Sequence, residues 1–296
     1  MSSRGVRPAR LIQFVRALRG GSAPALAQAS DGKLYVVKFL ENNQGPNVLF
    51  NEAMGTELFR ASGLPVPEWR VLKAPDMFLR DAESLWGARY AKRPTPGPAF
   101  GSRFLWMPGR RSYDYMPDEL LPRVRNKKDF WLAWLLDQCG RNMDNRQAIY
   151  LERPQGDFKA VFVDHGHLFG GPKDDNKSVR MGLHYFNPRV LRGVSSREIS
   201  ALPNKLKVLD FDRLWARANT LPAEWKNAQA LESFARCLDN LARPRFLEAL
   251  VQLMIQEVPP TSRYVPRPLP ERSAIAGKIL PPELPPQHAA DRVVAG

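Results

Sequence analysis

The first strongly patterned stretch of the chain is a hairpin. Ala25-Leu26-Ala27 runs into Ser30-Asp31-Gly32, a turn sequence, and Leu34-Tyr35-Val36-Val37-Lys38-Phe39 returns as a β-branched and aromatic strand. The period then changes. Val48, Phe50, Met54, Leu58 and Phe59 fall at near-helical spacing, and Gly63 is placed to end that helix before Pro65. Strands are expected at 68–72, 87–92 and 101–107, between turns that contain Pro and Gly. The first 110 residues therefore read as a small sheet with one helix.

From Asp129 the pattern is helical and more strongly apolar. Phe130, Trp131, Trp134, Leu135 and Cys139 form the stripe, with Asp129 as the expected N-cap. Further helices are predicted near 210–218, 222–241 and 244–257, the last burying Phe246, Leu247, Leu250, Val251 and Met254. After Val258, nine of 38 residues are proline and no amphipathic period survives, which predicts an extended, passive tail. The chain is thus read as α+β in three parts: a small β-sheet lobe at 1–110, a mainly helical lobe at 111–258 and a Pro-rich tail at 259–296.

With 296 residues, 44% of them hydrophobic, the chain can bury a sizeable core and is not a disordered protein. Its net charge of +14 is uneven, with nine of those charges in residues 1–111. Such an excess suits acidic partners, among them nucleotide phosphates, and a merely soluble basic surface explains it equally well. Nucleic-acid binding is not expected, because the basic residues are dispersed and no reader motif is present. Cys139 and Cys237 lie in helical patterns without C-x-x-C spacing, so neither a disulfide framework nor zinc is supported and a reducing cytoplasm is the expected setting. Ala25–Ala29 resembles a leader cleavage site, yet Gln13 and Arg16 interrupt the apolar stretch before it, so no secretory leader is expected. No apolar run is long enough to span a bilayer.

The candidate chemistry centres on Asp144 and Asp164. Between them lie two apolar runs, 148–151 and 158–163, and a turn containing Gly156. A hairpin of that length would bring both carboxylates to one end of the same ribbon. Two carboxylates so close repel unless a cation or proton intervenes, which points to a metal at one and a substrate hydroxyl at the other. Phosphoryl transfer needs those parts and a fixed cation on the phosphates; Lys38, held by Glu52 or Glu57, could be that cation. Gly20-Gly21-Ser22, just before the first hairpin, could offer backbone N–H groups to phosphates. Either aspartate motif alone reads as a turn or a helix cap, and together in this order they favour catalysis. His165 and His167 form a His-x-His pair, but without a further clustered ligand a packing or hydrogen-bonding role is the expectation.

Several of these segments together carry a resemblance. Gly20-Gly21-Ser22, Tyr35-Val36-Val37-Lys38-Phe39, Asn51-Glu52 followed by Gly63-Leu64-Pro65-Val66-Pro67, Phe100-Gly101-Ser102-Arg103, Asp144-x-Arg146-Gln147-Ala148 and Phe162-Val163-Asp164-x-Gly166 resemble the HipA-like kinase family over residues 15–190. The resemblance implies a two-lobed protein-kinase-like fold with ATP between the lobes. It implies that Lys38 contacts the α- and β-phosphates, Glu52 pairs with it, Asp144 is the base and Asp164 binds Mg²⁺. Asp164-His165-Gly166-His167 is also similar to the metal-binding segment of phosphoinositide lipid kinases. The implied acceptor is a protein serine or threonine, and relatives often pair with a DNA-binding antitoxin. The sequence departs from the family at Ile149, where a metal-holding asparagine is usual; Gln147 or Asn145 offers a replacement oxygen. A nucleotide-binding pseudokinase or scaffold, acting through its basic first lobe, is the alternative.

Overall fold

A computed structural model of the chain describes residues 9–86, 94–173 and 188–257. The first third is an antiparallel five-stranded sheet. Its strands are β1 (Leu11–Ala17), β2 (Ala25–Ala29), β3 (Leu34–Leu40), β4 (Trp69–Ala74) and β5 (Thr95–Arg103), in the order β1-β2-β3-β5-β4. The predicted hairpin is β2–β3, with Leu26 opposite Val36. Helix α1 (Val48–Ala61) follows β3, and α2 (Asp76–Trp86) follows β4. Phe78, Leu79 and Ala82 of α2 pack with Tyr35, Val37, Phe39 and Leu72 of the sheet in a core of their own.

The second part contains α3 (Lys127–Cys139), a three-stranded antiparallel sheet of β6 (Ser112–Tyr113), β7 (Gln147–Glu152) and β8 (Phe158–Val163), and five further helices. These are α4 (Ser196–Ser200), α5 (Leu202–Leu206), α6 (Phe211–Asn219), α7 (Ala228–Leu241) and α8 (Pro244–Glu257). The larger core joins α3, β8 and these helices, and it includes α1. Buried residues run from Val48 through Thr56 without a break, so the first turns of α1 are covered on every side, as expected for a helix inside a core rather than on a surface. No described helix is long and apolar enough to cross a membrane.

Several expectations shift. Two helices, not one, lie within the first 110 residues. The missed α2 is announced by Pro75-Asp76 and the 78/79/82 spacing. Strand β1 was not expected because two irregularities in its pairing, at Leu11/Gln13 and Phe14/Arg16, break the two-residue alternation. The strand expected at 101–107 begins at Thr95, running through Pro96 and Pro98, and ends at Arg103. Asp129 sits in the first turn of α3; the N-cap is Asn126, whose amide donates to Asp129 Oδ2 at 2.9 Å. The helix expected from 222 starts at Ala228, capped by Asn227, after a short 3-10 turn at Ala223–Trp225. The strand expected at 87–92 and the tail at 259–296 lie outside the described residues.

Candidate active site

Strand β3 turns Lys38 inward, where it is only 6% exposed. A buried ammonium must be paired, and this one has two carboxylates. It donates to Glu52 of α1 through a short contact and to Asp164 Oδ1 at 2.8 Å. Burial pulls the Lys38 amine down, but the charges of Asp164 and Glu52 outweigh it and hold the amine above its ordinary value. Burial also acts against the Asp164 carboxylate, and the charge and hydrogen bond of Lys38 overcome it, keeping the carboxyl well below the usual range. Burial raises the Glu52 carboxyl, opposed by Lys38 and aided by Asp164. Of the two acids considered for Lys38, Glu52 is the partner; Glu57 instead binds Arg60 and Trp69 Nε1.

Asp164 follows β8 at φ 59°, in the left-handed region that Asp tolerates better than most residues. That turn starts a loop, 164–171, which is held to α1 by two adjacent side chains. Glu52 accepts from the backbone N–H groups of His165 (3.2 Å) and Gly166 (2.9 Å). Asn51 donates to the carbonyls of Gly166 (3.1 Å), Leu168 (2.7 Å) and Gly171 (3.2 Å). The approach is close enough to require glycine at 55, where a Cβ would lie 2.5 Å from His165 Cβ.

Behind Asp164 lies a buried ion pair. Arg146, with a fully buried side chain, donates to both carboxylate oxygens of Asp137 on α3. The same guanidinium donates to the carbonyls of Val163 (3.2 Å) and Asp164 (3.1 Å) and meets His165 Nδ1 at 3.0 Å. It also lies over the Phe59 ring, 4.6 Å from the centroid. Burial pushes the Asp137 carboxyl up, and Arg146 and Asn142 draw it back. His165 is held neutral, because burial and the neighbouring Arg146 both push its imidazole well below the ordinary value. It is therefore a packing residue, with Arg146 donating to its bare Nδ1.

The hairpin expected between the aspartates is present. Gln147 at the start of β7 pairs with Val163 at the end of β8, so Asp144 and Asp164 flank the same end. Asp144 is half-buried, and its charge and that of Asp164 both act on His167, whose imidazole is lowered mainly by burial. Gln147 Nε2 donates to Asp164 Oδ2 at 2.9 Å. Ile149 lies within β7 opposite Val161 and supplies no oxygen there. Gly20-Gly21-Ser22 forms the β1–β2 turn, where Ala23 N–H donates to the Gly20 carbonyl. A Cβ on Gly21 would fall 2.7 Å from Gln44 Nε2, and that amide lies 2.7 Å from His167 Nε2. Among the described residues no three His, Cys, Asp or Glu side chains gather as a metal cluster.

The structure thus unites Lys38, Glu52, Asp164 and Gln147, with Asp144 beside them. Sequence reasoning gave no role to Asn51, Asp137, Asn142 or Arg146. The available signal was the pairing of Asn51 with Glu52 on a buried helix, and of Arg146 with Asp144 in one short motif.

No curated protein matches the chain. Among solved structures, a Helicobacter pylori proinflammatory kinase, CtkA, is similar with a TM-score of 0.52 and 13% identity, over 82% of this chain and 99% of that one. A Golgi casein kinase with Mn/ADP bound gives 0.46 and 12%, over 81% and 73%. HipA from Shewanella oneidensis MR-1, solved with HipB and operator DNA, gives 0.39 and 13%, over 87% and 68%. The profile described as HipA-like kinase matches residues 12–232. With that match across most of its length and a two-lobed, protein-kinase-like α+β fold, the chain belongs to the HipA-like kinase family.

Proposed function

We propose that the protein transfers the γ-phosphoryl group of ATP to a hydroxyl, most simply that of a protein serine or threonine. The observation that carries this reading is Lys38, buried between Glu52 and Asp164 at one end of the β7–β8 ribbon. A fixed cation beside a carboxylate suits a polyphosphate and its metal, and the family membership points the same way. In this reading Lys38 holds the α- and β-phosphates and Glu52 fixes its ammonium. Backbone groups of Gly20-Gly21-Ser22 cover the phosphates, and Asp144 accepts the proton of the attacking hydroxyl.

The residues fit Mg²⁺ as cofactor. Asp164 offers a carboxylate that is about 30% exposed, and Gln147, whose Nε2 donates to Asp164 Oδ2, would present its amide oxygen to a metal by turning the amide over, both hard donors. Mg²⁺, when bound, would draw charge from the β- and γ-phosphates. The proposed setting is the cytoplasm, where ATP is abundant and the two free, buried cysteines stay reduced.

The test is transfer of labelled phosphate from ATP with Mg²⁺, compared with Asp144→Asn. Transfer should fall at least about a hundredfold while ATP binding persists. Unchanged transfer in that variant would overturn the assignment of Asp144. A second reading, a nucleotide-binding pseudokinase, draws on Ile149, which stands in β7 where an oxygen ligand is usual in the family. It is favoured if ATP raises the melting temperature and no phosphate moves.

A further inference from the structure

Helix α1 carries Glu52 but is not held by the sheet lobe alone. Its outer face, at Asn47, Phe50 and Glu57, meets the C-terminal helices. Asn227 Nδ2 donates to Asn47 Oδ1 at 2.7 Å. Phe234 of α7 packs edge-on against Phe50, with centroids 5.9 Å apart. Arg217 of α6 approaches Glu57 at 3.5 Å. Two positions before Asn227, the buried Trp225 donates its indole N–H to the carbonyl of Pro98 on β5, at 3.2 Å. Strand β5 is paired with β3, where Phe100 sits opposite Lys38.

One three-residue stretch therefore grips both halves of the Lys38–Glu52 pair: Trp225 reaches the sheet that bears the lysine, and Asn227 reaches the helix that bears the glutamate. We infer that Trp225–Asn227 is a bracket holding α1 in register with β3, and that Asn227 is a positioning residue for Glu52. The pair is then built permanently into the fold, with α1 denied the freedom to swing outward. The unbroken burial of residues 48–56 agrees, since displacing α1 would expose Val48, Phe50, Met54 and Leu58 to water. The consequence for catalysis rests on the phosphate-holding role proposed for Lys38; the mechanical claim does not.

The bracket can be weakened without unfolding its neighbours. Asn227 Oδ1 caps α7 by accepting from Ala230 N–H at 2.8 Å, a task that serine also performs. Asn227→Ser keeps the cap and removes the donor to Asn47. Trp225→Phe keeps an aromatic ring and removes the donor to Pro98. Asn227→Asp is the rescue variant: it keeps the cap, and Asn47 can rotate to donate its own Nδ2, which has no partner among the described residues.

The experiment is hydrogen exchange by mass spectrometry on the full chain without nucleotide, with labelling of Lys38 by an amine-reactive reagent. Asn227→Ser and Trp225→Phe should each speed exchange in 48–61 by about fivefold or more, with faster Lys38 labelling and unchanged exchange in α3. Asn227→Asp should stay near wild type. Unchanged exchange in 48–61 in both weakened variants, or an equal rise in α3, would overturn the bracket. Neither readout needs phosphoryl transfer, so an inactive wild-type protein would sink the proposed function and leave this test intact. If the wild type is active, Asn227→Ser should also raise KM for ATP.

Discussion

Asn51 and Glu52, neighbours on α1, hold opposite polarities of one loop: Asn51 donates to its carbonyls at 166, 168 and 171, and Glu52 accepts from its amides at 165 and 166. Helix and loop are in effect one rigid piece, and Asp164 stands at its entrance. Glu52 thus has two tasks, fixing Lys38 and fixing the backbone that follows Asp164.

Asn51→Ala should leave the carbonyls of Gly166 and Gly171 short of a donor, while that of Leu168 keeps its bond from Gly171 N–H. The expected loss is about 3 kcal/mol of stability, from the cost of stranding buried acceptors. Asn51→Asp should be worse, because it turns a donor into a carboxylate facing carbonyl oxygens. Urea unfolding midpoints of the three proteins would check the order, and equal midpoints would contradict it.

Lys38→Met removes the shared cation and leaves Glu52 and Asp164 facing each other. The expected cost near neutral pH is about 3–5 kcal/mol, as for other broken buried pairs. Without Lys38 both carboxyls should titrate above their unfolded values, so the folded state holds protons that the unfolded state releases. The deficit relative to the wild type near pH 7 should then shrink on acidification toward pH 5. A wild-type pH profile in the variant would refute the shared-cation account.

His165 predicts an acid-side slope in the metal-free wild type. Its folded pKa lies well below the ordinary value of 6.5. Above that value neither state is protonated and the neutral imidazole costs nothing. As pH falls below it, the unfolded chain takes up a proton that the folded chain refuses. Stability should drop by up to about 1.4 kcal/mol per pH unit until the folded pKa is reached. His165→Asn, which keeps an acceptor for Arg146, should flatten the slope, with a remainder from the similarly lowered His167. Thermal melts between pH 5 and 7.5 would decide it.

Gln147→Glu places a second carboxylate beside Asp164. The metal-free protein should melt earlier through repulsion, and added Mg²⁺ should raise its melting temperature more than it does in the wild type. An equal Mg²⁺ response in both proteins would remove Gln147 from the metal site.

The sequence revealed what local pattern can carry. Two apolar runs around Gly156 announce β7–β8, and the periods of β3 and α1 place Lys38 and Glu52 on facing elements. Arg146 and Asp137 were harder to read, because a buried charge interrupts a pattern without naming its partner. Strand β1 hid behind its irregular pairing. The contacts of Trp225 with Pro98 and of Asn227 with Asn47 span 127 and 180 positions, and no local periodicity encodes them.

The β7–β8 ribbon also acts as a ruler. Its register is set at the 153–157 turn, six residue pairs and roughly 20 Å from the aspartates. Because strand side chains alternate between faces, a one-residue insertion that slips this register would bring Arg146 or Ala148 to the place of Gln147 and turn the side chains of one strand to the opposite face. The spacing of the two carboxylates is therefore written at the end of the ribbon farthest from them.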